Sequence, residues 1–197
     1  MRVYENPQVT SENRCATRSY YIPGGISEYL LLNGTWDFAY FERDIDVPER
    51  IEKWDTIPGS SCWQLHGYGS PNYSNINYPY PCDPPYVPDD NPCGVYRREF
   101  TLSEKWGRVY FVLEGVSSCA FVYVNDVYVG FTQWSHLQAE FDITNAARSK
   151  AIGICATPVS WGSTTAMWNG STSPTCVPRS TETTPPPGCF GSAGFCF

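Results

Sequence analysis

Six prolines fall between Pro79 and Pro92, inside the stretch YSNINYPYPCDPPYVPDDNPCG at residues 73–94, and they exclude a regular helix there. A backbone restricted in this way has little conformational entropy to lose on ordering. The tyrosines supply apolar faces, while Asn75 and Asn77 supply carboxamides that both donate and accept hydrogen bonds. The stretch is therefore built as a loop of fixed form, suited to a wet surface or a ligand pocket.

The chain around this loop reads as strands. Trp36, Phe38 and Tyr40 alternate in LNGTWDFAYF (32–41), the pattern of a strand with one buried face. Residues 54–59 form a short strand closed by Pro58-Gly59, and residues 63–67 lead irregularly into the loop. Beyond it, VYRREFTL (95–102) and VYFVLEGV (109–116) are rich in β-branched and aromatic residues. CAFVYV and VYVGFT flank Asn125-Asp126, a pair that tolerates the positive φ of a tight hairpin. EFDI (140–143) adds a further short strand.

No segment shows a period of 3.6 residues. The fold class is all-β, a two-sheet jelly-roll sandwich spanning residues 30–150. Residues 1–29 are polar and broken by Pro7, Pro23, Gly24 and Gly25, and read as an extended arm. Residues 151–197 carry two charged residues, Arg179 and Glu182, among Ser, Thr, Pro, Gly and Cys. This segment is expected to be a disordered, non-native tail, translated in a shifted reading frame from about residue 151.

Composition excludes several functions. A net charge of −7 and the lack of a basic run argue against nucleic acid and anionic membranes. No apolar run approaches the roughly 20 residues of a membrane span, and the polar N-terminus lacks a signal-peptide core, so a cytoplasmic protein is expected. The nine cysteines are odd in number and contain no C-x-x-C, with only His66 and His136 as additional ligands. Cys15, Cys62, Cys82, Cys93 and Cys119 read as small apolar packing groups rather than a zinc site, while Cys155, Cys176, Cys189 and Cys196 belong to the tail at 151–197. Glu140 with Asp142, and Asp89 with Asp90, read as structural or solvated carboxylates. His66, with no nucleophile motif beside it, reads as a packing and hydrogen-bonding residue.

Taken in order, Glu5-Asn6-Pro7, Asn13-Arg14, LNGTWDF (32–38), WQLHGY (63–68), the proline-rich loop running into YRREF (96–100), and EFDI (140–143) form a distinctive series. Over about residues 3–149 it resembles the N-terminal sugar-binding domain of the large β-galactosidases of glycoside hydrolase family 2. The resemblance implies a jelly roll packed beside a TIM barrel, whose acid/base and nucleophilic glutamates stand about 5 Å apart for retaining hydrolysis. The chain is expected to end before that barrel, so no catalytic residue is assigned to it. By motif position, Asn75 matches the asparagine that hydrogen-bonds the galactosyl group, and Ile76 is its neighbour.

The family's acidic W-S-D-G-S-Y segment is replaced by VSWGSTT (159–165), and its magnesium and sodium ions are bound largely outside this segment, so no cofactor is assigned here. The implied partners are a β-galactoside such as lactose, the remainder of the enzyme, and its homo-oligomer, whose interface the arm supports. Two other functions fit the same residues: a free-standing carbohydrate-binding module, and a structural or complementing fragment.

Overall fold

A computed structural model describes residues 2–17, 30–59, 61–70, 83, 85–102, 107–116, 119–133 and 137–147, together with the backbone of strands at 150–158 and 174–179. The strands are Ser11–Glu12 (β1), Leu30–Leu31 (β2), Thr35–Phe41 (β3), Asp55–Pro58 (β4), Cys93–Thr101 (β5), Arg108–Leu113 (β6), Ala120–Val124 (β7), Val127–Thr132 (β8), Ala139–Asp142 (β9), Lys150–Pro158 (β10) and Pro174–Arg179 (β11). Short 3₁₀ turns occur at Val3–Glu5, Asp44–Asp46 and Trp63–His66, and the described residues contain no α-helix. None of their helices is long and apolar enough to cross a membrane.

The strands form two antiparallel sheets, ordered β1-β8-β7-β10-β5-β3-β4 and β2-β11-β6-β9. Alternation sends Trp36 and Phe38 of β3, Ile57 of β4, Tyr96 and Phe100 of β5 and Val122 and Val124 of β7 into the space between the sheets. Phe111 and Leu113 of β6 and Phe141 of β9 meet them from the second sheet. This is the expected sandwich. The expected hairpin is present as well, with Asn125 and Asp126 at φ of +51° and +63° joining β7 to β8, the double positive φ of a two-residue turn whose twist suits paired strands.

Two segments differ from the sequence reading. Residues 2–17, part of the expected extended arm, lie against the sandwich. Ser11 and Glu12 pair with Thr132 and Phe131, and Arg14 bridges Phe141. Gln133 fastens the same stretch, its backbone N–H to the Thr10 carbonyl at 3.1 Å and its Nε2 to the Val9 carbonyl at 2.9 Å. The second difference follows residue 150. The backbone continues as β10 between β5 and β7, in register from Lys150↔Thr101 to Pro158↔Cys93. Ile152, Ile154 and Ala156 alternate there, a run too short to stand out against the composition of the tail. The rest of the tail, apart from the β11 backbone, lies outside the described residues.

Candidate functional site

Asn75 and Ile76, the residues assigned to sugar binding, lie outside the described residues. The structure shows instead the two stems on which their loop stands. The N-terminal stem starts at the buried Trp63, in a 3₁₀ turn that ends on Gly67 at φ of +87°. Phe38 is the hub of an aromatic cluster here, with ring centroids 6.1 Å from Trp63, 4.9 Å from Tyr68 and 4.8 Å from Tyr96. Tyr40 closes the cluster from the side, 5.8 Å from both Trp63 and Tyr68. Offset and edge contacts of this kind hold rings in fixed orientations. The Tyr68 hydroxyl donates to Asp55 Oδ2 at 2.8 Å, and that bond, with burial second, raises its pKa and keeps it a donor.

The C-terminal stem, residues 85–92, returns to β5 under a different set of restraints. Val87 is buried, and its N–H donates to Glu5 Oε1 at 3.2 Å. The Arg2 guanidinium donates to the Val87 carbonyl at 3.1 Å and to Asp89 Oδ1 at 2.5 Å. Asn91 is fully buried, and its carbonyl accepts the Asp44 N–H at 2.8 Å. The Tyr4 hydroxyl donates to Asp44, and burial first, then that carboxylate, push the Tyr4 phenol far above the ordinary tyrosine range. Tyr4 and Val87 pack with Cys119 and Phe131 in a small cluster flanked by Val3 and Phe121, separate from the main core. Arm and loop stem are thus parts of one structure.

The remaining sequence candidates have structural roles. Glu140 is buried and accepts from Gln138 Nε2 at 2.8 Å, while Asp142 Oδ1 caps the following turn by accepting from Thr144 N at 3.0 Å and Thr144 Oγ1 at 2.5 Å. Asp89 is held by Arg2. His66 Nε2 lies 2.7 Å from Ser61 Oγ at the exposed surface. Among the described residues no group of three or more His, Cys, Asp or Glu side chains could hold a metal ion, and Cys15, Cys62, Cys93 and Cys119 form no disulfide.

Two shallow clefts accompany these features. One, of about 390 Å³, runs beside Phe38–Phe41 and is lined by Pro48, Ile51 and Lys53. The other, of about 320 Å³, is polar and holds Asp37, Arg97 and Glu99. In it Arg97 forks onto Asp37 Oδ2 at 2.9 and 2.7 Å and lies 4.1 Å from the centroid of the Trp54 ring, so its guanidinium is already occupied.

Arg2 and the contact role of Glu5 were not found by sequence reasoning. Their partners in the loop stem lie more than 80 residues away, and no local pattern encodes such a distance. The one available signal was the Glu5-Asn6-Pro7 motif, which marks the segment without naming what it touches.

The sequence profile of the family described as "Glycosyl hydrolases family 2, sugar binding domain" matches residues 30–169. A β-galactosidase of Actinobacillus pleuropneumoniae is 37% identical over 173 residues, an alignment covering 80% of this chain and 17% of that protein. A β-galactosidase of Yersinia pestis bv. Antiqua (strain Angola) is 36% identical over 178 residues, covering 81% of this chain and again 17% of its own length. Among solved structures, the β-glucuronidase of Ruminococcus gnavus aligns with a TM-score of 0.55 at 15% identity, over 80% of this chain and 29% of that one. That last similarity bears on the fold alone. The chain spans about a sixth of the length of the curated relatives it matches.

Proposed function

From the premise that the chain belongs to glycoside hydrolase family 2 and carries its sugar-binding domain, we propose that it serves a cytoplasmic β-galactosidase as the amino-terminal part. The observation that carries this reading is the 37% identity to a β-galactosidase over most of the chain, where the glucuronidase fold neighbour shares only 15%. In this reading the loop at 73–94 reaches toward a terminal β-galactosyl group. Asn75 hydrogen-bonds its hydroxyls, with Ile76 beside it, because a carboxamide offers donors and an acceptor to hydroxyls that are themselves both. The aromatic cluster under one stem and the arm under the other support such a reach by fixing where the loop starts and ends.

Hydrolysis belongs to the remainder of the enzyme. A retaining mechanism needs two carboxyl groups about 5 Å apart across the glycosidic bond, whereas Asp37 and Asp89 are held in ion pairs, Asp142 caps a turn, and Asp55 and Glu140 accept from Tyr68 and Gln138. Residues 1–29 are the arm, 30–150 the sugar-binding domain, and residues from about 151 onward are encoded in a shifted frame. The β10 backbone is compatible with that, since a ladder needs only N–H and C=O groups and a short alternation. The partners are the rest of the polypeptide and its homo-oligomer.

A chromogenic β-galactoside tests the division of labour: the purified 197-residue chain gives no turnover above buffer, and steady turnover would overturn it. In an enzyme expressed from the frame-restored gene, Asn75→Ala lowers kcat/KM about tenfold, the value of one or two lost hydrogen bonds to neutral partners. An unchanged kcat/KM would remove Asn75 from the site.

A further inference from the structure

We infer that Arg2 and Glu5 are positioning residues of the proline-rich loop, setting its C-terminal stem from outside the sandwich. The inference rests on reading that loop as the sugar-facing one. Glu5 is 6% exposed and its two oxygens are divided: Oε2 accepts the Arg2 N–H at 2.8 Å, and Oε1 accepts the Val87 N–H at 3.2 Å. Arg2, whose Nη1 lies 3.7 Å from Glu5 Oε1, reaches the same stretch, donating to the Val87 carbonyl at 3.1 Å and ion-pairing with Asp89 at 2.5 Å. Both backbone groups of Val87 are therefore bonded to side chains of the arm and to no strand. A stem with prolines at 85, 88 and 92 has few N–H groups with which to order itself, so around Val87 its position depends on these two residues. Between them Tyr4 enters the small cluster with Val87 and Phe131 and holds the pair in place.

The Tyr86–Val87 peptide bond reports directly on this clamp. The Tyr86 side chain is 53% exposed, so an aromatic-directed protease can find it, yet cleavage requires the clamped backbone to open first. In the 197-residue chain, chymotrypsin cuts Tyr86–Val87 at least tenfold faster when Arg2→Ala and Glu5→Ala are combined, while cleavage in β5 after Tyr96 and Phe100 stays at the parent rate. Glu5→Gln keeps an acceptor for the Val87 N–H and retains most of the protection. Should the double variant fail to fold, Arg2→Lys alone, which keeps the charge beside Asp89 and loses the guanidinium's second bond, to the Val87 carbonyl, raises cleavage about threefold.

Unchanged cleavage at Tyr86, or an equal rise at Tyr86, Tyr96 and Phe100, would overturn the inference, the second result marking a general loss of stability. No sugar enters this assay. Failure of Asn75→Ala to weaken turnover would therefore remove the sugar reading while leaving the clamp standing.

Discussion

Gly94 shows how far single residues set the tolerance of this site. It is the second residue of β5, where the loop ends, and a Cβ placed on it would stand 2.2 and 2.3 Å from two carbons of the Trp63 ring and 2.9 Å from Phe38. The ring cannot retreat, because Tyr40 and Phe38 pack against it. Gly94→Ala is expected to destabilise by about 3 kcal/mol, the upper range for forcing atoms into a filled core, lowering the thermal midpoint by roughly 6–12 °C for a chain of this size. Gly67→Ala is the comparison: nothing stands within 4 Å of its Cβ, and only the φ of +87° is strained, a cost of about 1 kcal/mol. Calorimetry of the two variants decides, and a Gly94 cost no larger than that of Gly67 would show the cluster to be yielding. Sequence marked Trp63 and Gly94 as features of the loop's two ends, but their contact across 31 positions is tertiary and leaves no trace in either neighbourhood.

Among elements, legibility followed locality. β3, β5, β6 and the β7–β8 hairpin announce themselves by alternation and by Asn125-Asp126, because half-buried strands and tight turns are specified within a few residues. The arm was not legible as a packed element, since its bonds reach Val87, Val129 and Gln133 and its own sequence has no period. β10 was obscured because its three alternating apolar residues open a tail whose composition suggests no fold. β11 presents the opposite problem. It lies between β2 and β6, yet carries Pro174 at its first position and Pro178 inside. Proline donates nothing to a ladder and is ordinarily confined to edges, first positions and bulges. β11 is accordingly expected to be the least protected strand: its Thr175, Cys176 and Val177 amides exchange with deuterium at least a hundredfold faster than those of Val95–Arg97 in β5. Protection equal to that of β5 would mean that β11 holds its place despite the prolines.

At the scale of the whole molecule, the chain is acidic, with a net charge of −7, and is braced by tyrosines whose hydroxyls act as donors. Burial raises the pKa of Tyr4, Tyr40, Tyr123 and Tyr128, helped at Tyr4 by Asp44, at Tyr40 by Glu42 and at Tyr128 by Glu12; Tyr68 is raised chiefly by its bond to Asp55. All five shifts have the same sign. A folded pKa above the unfolded value of about 10 means that the native state keeps its proton where the unfolded chain has lost it. The unfolded state then binds fewer protons, so stability falls as pH rises. The contribution is complete below about pH 10 and drains away above it, while each phenolate formed adds repulsion to an already negative molecule.

Two of these groups join the arm to the sandwich, Tyr4 from the arm side and Tyr128 through its 2.6 Å bond to Glu12, so the loss is expected to begin at that contact. The thermal midpoint should hold level from roughly pH 7 to 9 and fall steeply beyond about pH 10. Tyr128→Phe, which cannot ionise, should start lower by the value of one solvent-screened hydrogen bond, about 1 kcal/mol, and decline less steeply. A parent midpoint unchanged through pH 11, or an identical alkaline slope in the variant, would show that these hydroxyls do not govern the stability of the arm contact.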